Sequence, residues 1–227
     1  MVWGLIDLYQ ATFEFEYLKV ALELNQTMLD LFWDNDKKGL FLTANDAEEL
    51  IVRSKEIYDG AIPSGNSVAA YNCACLAKIT ASDSLASKSE QILTAFSGSI
   101  SESPSAFSMA LIALDFAVSP GSEIVLAGAK DDATFQKMAS EIRRRFEPNN
   151  ILVHRPLGDD APITSVASYT ETQIATKNQP TAYVCQNYAC ELPTSDFNEF
   201  IGLLDKISAP STRESVHLKN PFQKPIE

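Results

Sequence analysis

Tyr58-Asp59-Gly60-Ala61-Ile62-Pro63-Ser64-Gly65-Asn66-Ser67 packs a carboxylate, two hydroxyls, an amide, two glycines and a proline into one short stretch, and a strongly apolar segment, 68–79, follows at once. Loops lack the repetitive backbone bonding of helices and strands, so a polar turn between buried elements is where binding groups tend to be displayed. In that role Asp59 is a candidate catalytic acid or base. Ser64, Asn66 and Ser67 are candidate substrate-binding groups beside it. Arg53 and Lys55 lie close by in sequence, where they could pair with Asp59 or grip an anionic group. The same residues also fit an architectural role. Ser64 or Asn66 would cap the following helix, Gly60 and Gly65 would supply positive φ, and Pro63 would stiffen the turn.

Cys185 and Cys190 bracket Gln186-Asn187-Tyr188-Ala189 at the end of an apolar run, where a turn could bring the sulfurs together. Two free thiols are the plain expectation; a bridge, a shared metal or a redox pair stay open. A structural zinc site wants about four ligands, and besides the helix thiols only His154 and His217 are left to join them, so no metal centre is expected. Cys73 and Cys75 stand two apart on a helix and point to nearly opposite sides, as buried inert thiols.

Three further motifs argue against the chemistry they first suggest. Asp34-Asn35-Asp36-Lys37-Lys38-Gly39 opens like a calcium loop, but Lys38 and Asn45 fill the fifth and twelfth positions, where oxygen ligands are needed. A plain turn is expected. The turn Ala127-Gly128-Ala129-Lys130-Asp131-Asp132 carries one glycine rather than the three of a dinucleotide fingerprint. Asp131 and Asp132 already complement the helix N-terminus, and Arg143, Arg144 and Arg145 its C-terminus, so phosphate is disfavoured there. His154 on an apolar strand is expected to be buried and hydrogen-bonded rather than catalytic.

The elements that must position these groups divide the chain into 1–118, helical; 119–207, a small α/β module; and 208–227, a Pro-punctuated polar tail with little to bury. In the first part Leu5, Leu8, Tyr9 and Phe13, then Leu18, Ala21, Leu22, Met28, Leu29 and Phe32, fall at helical spacing. Residues 39–43 and 50–53 lean towards β and predict a hairpin-like excursion. Helices follow at about 65–80, 84–97 and 104–118, the last with Ser103 as N-cap and Pro104 in its first turn. The helices carrying Val68 to Ala77 and Phe107 to Phe116 are apolar nearly all round, which predicts that each is sandwiched between other helices. The start at Trp3-Gly4-Leu5-Ile6-Asp7 reads as mid-helix, which predicts an origin inside a larger domain. In the second part strands at 123–128 and 150–154 flank a helix over 131–146 with Phe135, Met138, Ala139, Ile142 and Phe146 on one face, a parallel β-α-β unit. Residues 156–178 are irregular, a third strand runs 181–185 and a helix over 195–207 closes the module.

Composition narrows the function classes. The 227 residues are 45% hydrophobic and 21% charged, the profile of a globular protein. A net charge of -12 argues against nucleic acid, whose phosphates reward clustered Lys and Arg. No apolar run reaches the roughly 18 residues of a membrane span, and four cysteines do not suggest a disulfide framework, so a cytoplasmic location is the default.

Several stretches together resemble one family, the large thioredoxin-domain-containing proteins related to spermatogenesis-associated protein 20 and its bacterial relatives. They are residues 3–13, Leu31-Phe32-Trp33-Asp34, the Tyr58–Ser67 turn, Ala113-Leu114-Asp115-Phe116, and Pro180-Thr181-Ala182-Tyr183-Val184-Cys185 through Cys190. The resemblance implies a thioredoxin-like domain first, then an (α/α) toroid similar to N-acylglucosamine 2-epimerases and six-hairpin glycosidases, then a small α/β portion. This chain would hold the last hairpins of the toroid and the α/β portion, a mixed α and β fold without the thioredoxin-like domain. Asp59, Ser64 and Asn66 would then sit near the toroid centre, with Trp33 as a stacking platform and Arg53 as a further substrate contact. The functional expectation is a sugar isomerase, epimerase or hydrolase fragment acting on a small molecule without a cofactor. The alternative is a thiol-linked or scaffolding module, with Cys185 and Cys190 as redox or metal candidates. Exposed apolar helix faces on an incomplete toroid predict self-association into a homo-oligomer.

Overall fold

The computed structural model describes residues 1–186 and 189–208, which form eight α-helices and a four-stranded mixed sheet. The expectation of a polar tail over 208–227 falls almost wholly outside the described residues, as do Asn187 and Tyr188 of the turn between the cysteines.

Helices α1 (Val2–Thr12) and α2 (Phe15–Phe32) form the first hairpin. Phe13, in the left-handed region at φ 59°, turns the chain between them. A long loop leads to α3 (Gly65–Thr80), which is followed by α4 (Asp83–Ala95), α5 (Ser97–Glu102) and α6 (Ser108–Val118). Helix α3 is buried on nearly every side, from Ala69 and Ala70 to Leu76 and Ile79, because α1, α2, α4, α6 and the sheet all pack against it. Its small residues (Ala69, Ala70, Cys73, Ala74, Ala77) let those neighbours approach closely.

The sheet has the order β2-β1-β3-β4, from β1 (Ser122–Ala127), β2 (Ile151–Arg155), β3 (Thr181–Gln186) and β4 (Ala189–Cys190). Strands β1 and β2 are parallel through the crossover helix α7 (Ala133–Arg144), whereas β3 returns antiparallel to β1. Alternate side chains leave the sheet on opposite faces. Val125, Ile151 and Val153 join the core of α1, α2 and α3, while Ile124, Leu126, Leu152, Ala182 and Val184 pack against α7 and α8 (Phe197–Ser208). The sheet therefore faces two cores, one shared with the helical half and one with α7 and α8, in three layers.

Four local expectations are corrected. Residues 39–43 and 50–53 form no strand pair; one isolated bridge, Trp33 with Leu40, and the Leu42 N–H to Ser54 carbonyl bond (2.9 Å) are the ladder-like contacts of that loop. Ile51 and Val52 are exposed there, so the β-leaning run has no face to bury. The helix expected from 104 is instead a 3₁₀ turn, Pro104–Ala106, then a break at Phe107 (φ -135°) before α6. Helix α7 ends at Arg144, which leaves Phe146 92% exposed rather than in the core. Finally, Ile112 and Val118 of α6 are exposed, so α3 alone of the two apolar helices is enclosed on all sides. Among the described residues no helix is long and apolar enough to cross a membrane.

Candidate functional site

The Asp59–Ser67 turn sits where two helix N-termini converge. Ser64 caps α3, its Oγ accepting the Ser67 N–H at 3.0 Å. Helix α6 follows Phe107 and has no side-chain cap of its own. Asp59 supplies it. Oδ2 accepts the N–H groups of Met109 (2.9 Å) and Ala110 (3.0 Å), and also the Ser67 hydroxyl at 3.1 Å. Oδ1 accepts the Ser64 N–H at 2.8 Å. Four donors of the chain converge on this carboxylate, three on Oδ2 and one on Oδ1. At 8% exposure, with the partial positive charge of two helix ends directed at it, this carboxylate is a clasp between α3 and α6. The backbone closes the same junction, Asp59 N–H donating to the Ala106 carbonyl at 3.0 Å.

Asn66 fastens the loop to the same helix end. Its Oδ1 accepts the Leu40 N–H (2.6 Å) while its Nδ2 donates to the carbonyls of Leu40 (2.9 Å) and Glu56 (2.7 Å). The side-chain amide thus pairs with Leu40 as another strand would and spans to a second segment of the loop. Gly39 (φ +78°) turns the chain beneath it; a Cβ there would stand 2.9 Å from the Phe96 ring and 3.1 Å from Asn66 Oδ1.

The remaining predicted groups lie elsewhere. Arg53 and Lys55 do not meet Asp59. Arg53 stacks over Phe41, 4.1 Å from the ring centroid, and donates to the Thr43 carbonyl. Lys55 pairs with Asp34 at 2.7 Å. That bond, helped by the N–H groups of Lys37 and Asp36, lowers the Asp34 carboxyl to a pKa of about 2. The calcium-like run is accordingly a turn closed by its own aspartate and a lysine. Trp33 carries the Lys88 ammonium 3.6 Å from its ring centroid, so one face of the expected stacking platform is taken. The structure unites Asp59, Ser64 and Ser67, places Asn66 beside them, and leaves Trp33 and Arg53 apart.

Two open grooves, of about 270 and 340 Å³, lie at the junction with the α/β module, and neither is lined by these residues. The larger is bordered by Phe13, Lys130 and His154. His154 is buried, its Nε2 2.9 Å from the Gly128 carbonyl, and burial holds its pKa below the ordinary 6.5. Asp132 caps α7 through the N–H groups of Thr134 and Phe135, so the positive helix end is complemented from within the chain.

Cys73 and Cys75 are free and buried, and burial pushes their thiols up to about 11 and about 12. Cys185 and Cys190, expected as free thiols, are bridged. The physical reason is their register: they stand directly opposite one another on β3 and β4, with Cα atoms 3.9 Å apart. Gln173, unremarkable in the sequence, turns its amide Nε2 to both sulfurs. Among the described residues no group of three or more His, Cys, Asp or Glu is arranged to hold a metal.

No family model matches the chain. It is 26% identical over 206 residues to an uncharacterized protein of Caenorhabditis elegans, covering 91% of this chain and 28% of that one. Spermatogenesis-associated protein 20 of Rattus norvegicus is 30% identical over 208 residues. The human protein of that name is 33% identical over 208 residues, 90% of this chain and 26% of the relative. The chain spans about a quarter of the length of the curated relatives it matches, and over that quarter it is similar to spermatogenesis-associated protein 20.

Proposed function

We propose that the chain is the supporting flank of a larger carbohydrate-processing or carbohydrate-binding protein. In this reading 1–118 are hairpins of an (α/α) toroid of the six-hairpin glycosidase or N-acylglucosamine 2-epimerase type, completed by chain beyond this sequence. The observation that carries it is the outward apolar side of the helical half. Trp3 and Leu8 of α1 and Ile112 and Val118 of α6 are 36–54% exposed on either flank of the enclosed α3, the faces that further hairpins would cover. Isomerisation and glycoside hydrolysis each require a carboxylate or base with a site free for the substrate. The bonding of Asp59 argues that such a group comes from elsewhere in the toroid, and that the Asp59–Ser67 turn holds the wall in shape.

A thermal-shift screen of mono- and oligosaccharides on a polypeptide extended to complete the toroid tests this. One sugar should raise the melting temperature, and Asp59→Asn should lower the baseline melting temperature while keeping that shift. Loss of the shift at an unchanged baseline would return Asp59 to the substrate. No shift with any sugar would favour a second reading, a scaffold for a thioredoxin-like domain. One observation favours it: Asp59, Ser64, Asn66 and Ser67 all spend their polar atoms on partners within the chain.

A further inference from the structure

The Cys185–Cys190 bridge is built asymmetrically. Cys185 is 7% exposed, whereas Cys190 lies on β4, a two-residue strand at the sheet edge, and is exposed. Behind the bridge Gln173, itself 7% exposed, sets its Nε2 3.7 Å from Cys185 Sγ and 3.9 Å from Cys190 Sγ. The Gln173 Oε1 is buried and has no hydrogen-bond partner. A disulfide has no hydrogen to donate, but a thiol has. Opening the bridge therefore creates a donor that this buried oxygen can reach once the Gln173 amide turns over and exchanges Nε2 for Oε1 at the sulfurs, and an unmatched buried acceptor is the costly side of a hydrogen-bond imbalance.

We propose that Cys185–Cys190 is a reversible redox centre that exchanges with a dithiol, with Cys190 as the attacked sulfur and Gln173 favouring the reduced form. A thiolate of the dithiol attacks Cys190 Sγ. The Cys185–Cys190 bond breaks, its electron pair leaves on Cys185 Sγ, and Gln173 Nε2–H donates to that thiolate until it takes up a proton. The second thiolate of the dithiol then attacks its own partner sulfur in the mixed disulfide, releasing Cys190 as a thiolate that is protonated in turn. The dithiol loses two electrons and two protons, and the two cysteines gain them. Attack on the exposed sulfur with departure of the sheltered one follows from access. This exchange is independent of the toroid reading, since none of its groups belongs to the Asp59–Ser67 turn.

The native chain, equilibrated in mixtures of reduced and oxidised dithiothreitol, then alkylated and peptide-mapped, reads the dithiol-to-disulfide ratio apart from buried Cys73 and Cys75. The bridge should open without denaturant, and Gln173→Leu should lower the ratio about tenfold. With oxidised glutathione, Cys185→Ser should form a mixed disulfide on Cys190 about tenfold faster than Cys190→Ser forms one on Cys185. A bridge that opens only on unfolding would make it a staple and overturn the proposal. Equal glutathione labelling would overturn the assignment of Cys190, and an unchanged ratio in Gln173→Leu that of Gln173. The wild-type measurement stands even where a variant fails to fold.

Discussion

Asn66 contributes by shape and by the direction of its dipoles. One donor pair and one acceptor meet two carbonyls and an N–H, all buried or nearly so. Asn66→Asp keeps the outline of the side chain and replaces the donor by an acceptor facing the Leu40 and Glu56 carbonyls. One buried and one part-buried carbonyl then lose their partner and gain a repulsive neighbour, which should cost about 2–3 kcal/mol of unfolding free energy. Chemical denaturation checks this; a change under about 0.5 kcal/mol would show that water or a loop shift compensates. The sequence marks this residue as exceptional, since a polar turn before an apolar helix is visible in composition. What it cannot carry is the identity of the partners. Leu40 lies 26 residues away and the Asp59 partners Met109 and Ala110 about 50, and loop closures over such spans leave no local pattern. Gln173 is the extreme case, a residue whose role exists only because a hairpin brings two sulfurs to it.

At the scale of elements, the loop between α2 and α3 is anchored at both ends, by Asn66 and by the Lys55–Asp34 pair. The pair is largely enclosed, with side chains 16% and 10% exposed. Because the Asp34 pKa is lowered in the folded chain to about 2 from 3.8, the unfolded chain binds the proton more readily. The stabilisation is therefore complete above about pH 4 and is lost as pH falls towards about 2. Lys55→Met should be less stable than the wild type at pH 6, and the difference should shrink across that acid window; a difference independent of pH would mean that Lys55 acts through packing alone. Elements whose signals are local were legible. The start of α3 at Ser64 and Gly65, the capping of α7 by Asp132 and the parallel β1–α7–β2 unit all follow from adjacent residues. Helix α6 was misplaced because Ser103-Pro104 is a good start signal locally, while the cap in use comes from Asp59 across the fold. The loop at 39–53 misled for the converse reason: Ile51 and Val52 suit a strand but are exposed, while Leu40 is buried against α3 without forming one.

Across the whole molecule, the sheet packs one face on the helical half and the other on α7 and α8, so the two halves support each other. The apolar residues left on α1 and α6 set the expected solution behaviour. Light scattering should give a mass above the 24.9 kDa of one chain, falling on Ile112→Lys with Val118→Lys; a monomer at all concentrations would mean these residues are too scattered to associate. In the helical half Asp59 joins α3 to α6. Native-state hydrogen exchange at the Met109 and Ala110 amides, compared between wild type and Asp59→Asn, tests that most directly. Loss of the carboxylate should speed both amides at least about tenfold, in line with the loss of a helix cap, and leave α7 unaffected. Unchanged exchange at both amides would contradict the clasp.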